Sequence, residues 1–356
     1  MSEDAAYLGL EDIRDRVWSV LARIERHDSE HFEIEANALG AVATTLAERY
    51  HLDPLPPGNG WWHLGEYSPE LLDRLADRLA SADAAERSRC GFDLAIVWMI
   101  ERLGRREPAD HAAGAIHLLD GRYAGDGRSP HLDAAGLAAI DEETIRPLAA
   151  RLRKTLLDHP ELFGAEGRFG RLFDHLPKAC DADGLLRSLQ PVGQALTASG
   201  ILLGGRPLGD VWRLEGVAHD TRLPGLIPFH SRLLELMIDL VEPLLESGRE
   251  LPDLAAVPVP ATRERCNQMF ALNIIRPRHA AVARLTHPPG SDIVVELRCL
   301  VTALFDRLAD RVRAALDTSV DRLPTVRLMH AFEVLAAERA ARTSTPATIS
   351  IGGAVF

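Results

Sequence analysis

Apolar residues recur at three- and four-residue intervals along most of the chain, the period of a helix with one buried face. The spacing predicts amphipathic helices over 10–26, 37–50, 84–103 and 142–158. Ser68-Pro69-Glu70 reads as a helix start, with an N-cap serine, proline at the first helical position and an acid in the first turn. The clearest stripes lie in 229–247, through Leu233, Leu236, Met237, Leu240 and Leu244, and in 292–316, through Leu297, Leu300, Leu304 and Leu308. Polar or glycine-rich stretches at 121–130, 164–170 and 199–212 predict turns, the last a short hairpin. Residues 252–260 are proline-rich and predict a surface crossing, and 349–356 predict a short strand that tucks the end of the chain back. No repeat or boundary divides the pattern. The expected fold is mainly α, a single helical domain over 1–356 with a few short strands, its N-terminal stretch, residues 1–160, the least defined.

Charge narrows the possible partners. The formal net charge is −12, and the arginines are interleaved with Asp and Glu, which argues against a phosphate-backbone partner. No segment has the ~20 apolar residues that a membrane span needs, and the acidic start Met1-Ser2-Glu3-Asp4 is no signal peptide. Cys90, Cys180, Cys266 and Cys299 are far apart in sequence, so they form no Cys-x-x-Cys motif and read as buried thiols of a reducing compartment. These features predict a cytoplasmic protein with a small-molecule substrate, bound to neither nucleic acid nor membrane; the oligomeric state stays open.

Two residues carry candidate chemistry because they interrupt apolar faces. At 100° per residue, His230 falls inside the stripe of the 229–247 helix and Glu296 on the margin of the 292–316 stripe. A carboxylate so placed is costly unless it is paired or bound to a metal. His63, in Trp61-Trp62-His63, adds a second histidine. Two histidines and a carboxylate are the facial ligand set of non-heme Fe(II), and Zn with the same ligands would activate water. In the plainer alternative His230 is a hydrogen-bonded core residue and Glu296 pairs with Arg298, Arg263 or Arg265. Gly209-Asp210-Val-Trp212-Arg213 places an acid, an aromatic ring and a guanidinium close together, where Trp212 can stack on a planar ring and Asp210 or Arg213 can bond its edge. Asp93 sits within an apolar run, as either a buried helper or a helix-start residue.

Several blocks resemble the uracil-catabolism protein 4 family. They are Glu166-Gly-Arg-Phe-Gly-Arg-Leu-Phe-Asp-His-Leu176, Leu203-Gly-Gly-Arg-Pro-Leu-Gly-Asp-Val-Trp-Arg213, Gly225-Leu-Ile-Pro-Phe-His230, Ile293-Val-Val-Glu-Leu-Arg298 with Ala303-Leu-Phe-Asp-Arg-Leu-Ala309, and Ile351-Gly-Gly-Ala-Val-Phe356. Trp62-His63 and Asp93-Leu-Ala-Ile-Val97 fit its N-terminal half. The chain departs where the family reads Glu-Trp-Arg and this sequence has Glu296-Leu-Arg298. It also lacks the family's Tyr-Arg-Asn-Gly-Gly segment, in whose place stands Arg263-Glu-Arg-Cys-Asn-Gln-Met-Phe270. The resemblance implies pyrimidine or nucleoside metabolism and places His63, His230 and Glu296 at motif positions. The leading expectation is a metal-dependent enzyme, best a non-heme iron oxygenase that oxidises or opens a pyrimidine-like ring. It would hold Fe(II) or Zn at His63, His230 and Glu296, with Arg298, Asp210, Trp212, Arg213 and Trp62 around the substrate. Two alternatives stand beside it. One is a metal-free hydrolase of an N-glycosidic or ureido bond, with Glu296 or Asp210 as acid–base. The other is a non-catalytic binding protein.

Overall fold

The computed structural model describes residues 8–26, 29–52, 69–104, 111–197, 199–215, 223–250, 253–342 and 348–352. It is mainly α-helical, and the strands among the described residues are short and paired two by two. Two compact units account for the chain. One comprises Met1–Pro57, Thr197–Leu234 and Asp253–Phe356, the other Gly58–Leu196 and Glu235–Pro252.

The first unit is built around the helix Asp292–Leu316. Every residue from Val294 to Asp306 is buried, so this helix is covered on all sides for more than three turns. It packs against the helices Leu10–Glu25, Ala36–Leu52 and Arg263–Ala271 and against the strand Val211–Arg213. The first of these helices turns Ile13, Val17, Val20, Leu21 and Ile24 inward, the predicted stripe. The strand Phe32–Ile34 pairs antiparallel with Ile275–Pro277, and Val211–Arg213 with Leu226–Pro228. The predicted hairpin forms between Leu202–Leu203 and Arg206–Pro207. The end of the chain tucks back as expected, Ser350–Ile351 lying parallel to Thr286–His287.

Residues 257–261 correct the surface-crossing expectation, since Val257, Val259 and Ala261 are at most 1% exposed. Prolines withhold N–H donors, but their neighbours' carbonyls still accept. Here Val259 O receives Thr302 Oγ1 at 3.1 Å and Ala261 O receives Arg298 Nε at 3.1 Å, which satisfies a buried segment without a ladder. The predicted 229–247 helix is also two helices, Ser231–Asp239 and Val241–Glu246, and the division between the units falls within the first. Pro243 has no N–H for the Asp239 carbonyl four residues back, which leaves a gap in the ladder where the first helix ends.

The second unit centres on the helix Ala84–Gly104, which packs on His111–Leu119 and on the segment Phe169–Arg171. Asp93 lies in mid-helix and is fully buried. It accepts Arg168 Nε at 2.8 Å and Gly170 N at 2.7 Å. A Cβ on Gly170 would stand 2.4 Å from the Arg89 carbonyl oxygen, so this glycine allows the close approach that the bond requires. The Glu166–Leu176 block is thus a clamp: Arg168 also meets Glu86 at 2.8 Å, and Arg89 grips Asp174 at 2.9 Å. The predicted helix start at Ser68 lies outside the described residues; the helix itself runs Pro69–Arg78.

Candidate active site

Four of the sequence-selected residues, Asp210, Trp212, His230 and Arg298, meet in the first unit. The turn before Val211–Arg213 delivers Asp210, which Arg298 grips from the central helix through two parallel bonds of 2.9 and 2.7 Å. Trp212 Nε1 donates to the same carboxylate at 2.7 Å and Ser231 N at 2.9 Å, so each oxygen takes two donors. Burial alone would push the Asp210 carboxyl up, but the Arg298 guanidinium and these donors hold it below its ordinary value. Arg298 also stacks on Phe229, 3.9 Å from the ring centre, and donates to Ser231 Oγ at 3.0 Å. Asp210 and Arg298 are 3% and 0% exposed, and besides each other they engage Trp212, Ser231 and the Ala261 carbonyl. Trp212 is buried and its ring lies where a Cβ on Gly290 would stand at 2.8 Å, whereas Arg213 is exposed.

His230 is not on the helix that the apolar stripe predicts. It precedes Ser231–Asp239 with φ +47°, a left-handed conformation rare outside glycine, and its carbonyl accepts Leu234 N at 2.9 Å. The backbone N–H groups of Phe229 and His230 both turn toward Asp210 O. The buried His230 ring donates Nε2–H to the carbonyl of Leu8 at 3.0 Å, which leaves Nδ1 with the lone pair. Burial pushes its pKa down, favouring the neutral ring.

Glu296 occupies a separate spot on the same helix. Two residues from Arg298, it points some 200° away around the axis and makes none of the three anticipated pairs. Its partners come from the N-terminal segments: Ser29 Oγ at 2.6 Å from Oε1 and Arg23 Nη2 at 3.3 Å from Oε2. Ser29 is itself fixed, because its oxygen accepts His31 N and Phe32 N at 3.1 Å each. Burial raises the Glu296 pKa above its ordinary value, and the Ser29 bond and the charges of His31 and Arg23 offset this only in part. The Glu296 side chain is 3% exposed. The apolar stripe carries no sign of Ser29 or Arg23. Their only local signal is that Ser29 precedes a strand with two backbone donors, a serine turn.

His63 and Trp62 lie outside the described residues. Among the described residues no three His, Cys, Asp or Glu side chains come together in a group fit to hold a metal ion. All four cysteines are free and buried, with burial pushing Cys90 and Cys266 up to about 12. No helix of the described residues is long and apolar enough to cross a membrane.

No curated protein matches the chain. A family described as protein of unknown function (DUF1688) matches residues 135–356, more than half of the sequence and the stretch that holds Asp210, Trp212, His230, Glu296 and Arg298. The chain belongs to the DUF1688 family.

Proposed function

We propose that the chain is an enzyme of nucleobase or nucleoside metabolism that cleaves a C–N bond of a pyrimidine-like compound, an N-glycosidic or a ureido bond, with Glu296 as general acid. The observation that carries this reading is the setting of Glu296. It is a buried carboxyl raised by desolvation, gripped on one oxygen by Ser29 and flanked on the other by Arg23. In the reaction Glu296 gives its proton to the leaving nitrogen as water adds to the carbon, and the proton that water releases restores the acid. Asp210, Arg298 and Trp212 act as positioning groups that fix the strand pair Val211–Arg213 and Leu226–Pro228 to the central helix. The pyrimidine class is supported by the likeness of the motif blocks to the uracil-catabolism protein 4 family.

Acid–base work fits the described contacts better than metal ligation. Both Glu296 oxygens already take donors, one of them a guanidinium. The test is turnover of uracil, uridine and N-carbamoyl amino acids, with products identified by mass. Glu296→Gln keeps the Ser29 contact and is expected to lose about 100-fold or more. Wild-type turnover falls as pH rises through the elevated Glu296 value, because the acid form is the active one. Full activity in the Gln variant overturns the acid role. Activity that requires Fe(II) and oxygen, or Zn, and disappears with a chelator would instead assign His63, His230 and Glu296 to a metal.

A further inference from the structure

The second unit holds an acid–histidine pair that the Glu296 site does not use. Glu101, on the helix Ala84–Gly104, is 1% exposed. Its Oε1 meets His117 Nδ1 at 2.5 Å and the buried Tyr123 hydroxyl at 2.6 Å. Burial, and then the bond to Glu101, push the Tyr123 hydroxyl well above its ordinary pKa, so it stays protonated and donates. With both donors aimed at one carboxylate oxygen, Nδ1 carries the ring proton and Nε2 the lone pair. The His117 side chain is 24% exposed. Because Nδ1 is turned into the core, its open part is the opposite edge, which carries Nε2. Arg122 completes the arrangement. Its Nη1 lies 3.3 Å from Nδ1 and 3.2 Å from Nε2. An atom so close to both nitrogens, and so nearly equidistant, cannot lie in the ring plane, because Cε1 stands between them and would collide with it. The guanidinium therefore sits over the ring face, where it leaves the in-plane lone pair of Nε2 open. Glu142 holds it there, accepting from Nη2 at 2.8 Å.

We propose that His117 is a nucleophile for phosphoryl groups, a reactive site independent of Glu296. A histidine whose Nδ1–H is fixed on a buried carboxylate presents its Nε2 lone pair in one direction. The same carboxylate stabilises the positive charge that the ring gains when Nε2 forms a bond. The guanidinium on the ring face favours an anionic electrophile over a neutral one, and phosphoryl groups are anionic. The donor is an activated phosphate, a phosphoramidate or a phosphate anhydride. Nε2 bonds to phosphorus as the bond from phosphorus to the leaving group breaks. The leaving group departs with that electron pair and takes a proton from water. The ring proton stays on Nδ1, against Glu101, and no oxidant or reductant is needed.

The test is treatment of the full chain with phosphoramidate. Phosphorylated histidines are located by peptide mass, and the modified nitrogen is identified by phosphorus NMR. His117 is expected to gain a phosphoryl group on Nε2 at least about 10-fold faster than His279, an exposed histidine with no ion pair among the described residues. Glu101→Gln is expected to lose the preference for Nε2, because the amide no longer fixes the ring proton on Nδ1. Arg122→Gln is expected to lower the reactivity of His117 toward phosphoramidate, relative to the neutral acylating reagent diethyl pyrocarbonate, by about 10-fold. A rate at His117 no greater than that at His279 overturns the proposal. That comparison is made within the wild-type protein, so it does not depend on any variant folding. Phosphorylation of His117 on Nδ1 overturns the orientation on which the proposal stands, and an unchanged reagent ratio in Arg122→Gln overturns the preference for an anionic electrophile.

Discussion

Arg298 and Asp210 show how much one buried pair decides. Both sit in the core, with their donors and acceptors directed at each other, Trp212 and Ser231. Replacing one partner leaves an uncompensated charge, so Asp210→Ala is expected to cost about 3–5 kcal/mol in urea unfolding, whereas a joint apolar replacement costs far less. Asp93 behaves differently. Burial pushes its carboxyl up to about 6 against an ordinary 3.8, despite Arg168 and Gly170. Its folded value exceeds the unfolded one, so its contribution to stability is full below about pH 4 and is lost as pH rises through about 6. Asp93→Asn, which can still accept from Gly170, is expected to flatten unfolding free energy against pH across that interval. The sequence marked Asp93 and Glu296 because charges inside apolar runs need partners, and Asp210 because it stands beside an aromatic ring and a guanidinium. It could not say which partners, since Ser29 and Arg23 stand some 270 residues from Glu296 along the chain.

At the scale of elements, the period of the apolar residues revealed most helices, and the failures have a common cause. The stripe in 229–247 continues through a break made by Pro243, because periodicity records which side is buried and not whether the backbone bonds survive. His230 fits the same stripe and is buried, yet it lies outside the helix with a left-handed backbone. The proline-rich stretch looked exposed by composition, yet 257–260 is buried, because carbonyl acceptors matched by Arg298 and Thr302 substitute for a ladder. Gly290 shows the sterics of the hairpin–helix contact. A methyl group added there would meet the Trp212 ring at 2.8 Å, and Gly290→Ala is expected to cost about 1–3 kcal/mol and to shift tryptophan emission.

The whole molecule draws its first unit from three stretches separated in sequence, held by a helix that all of them touch. Amide exchange followed by mass spectrometry is expected to be slowest in that unit over Val294–Asp306, where burial is continuous; exchange there as fast as in the hairpin at Leu202–Pro207 would contradict this assembly. The division into units was not legible, because a contiguous pattern of helices gives no hint that 197–234 and 253–356 fold with the N-terminus. The all-round burial of Val294–Asp306 also limits how the chain can diverge. Residues on an exposed helix can be inserted or deleted at the cost of a shifted surface. Here one inserted residue would turn all later side chains by about 100°, carrying Arg298 away from Asp210 and apolar groups onto buried acceptors. Substitutions such as leucine for tryptophan between Glu296 and Arg298 leave that geometry intact. Gap-free length between Asp292 and Asp306 is therefore the expected mark of working relatives, a stricter criterion than residue identity.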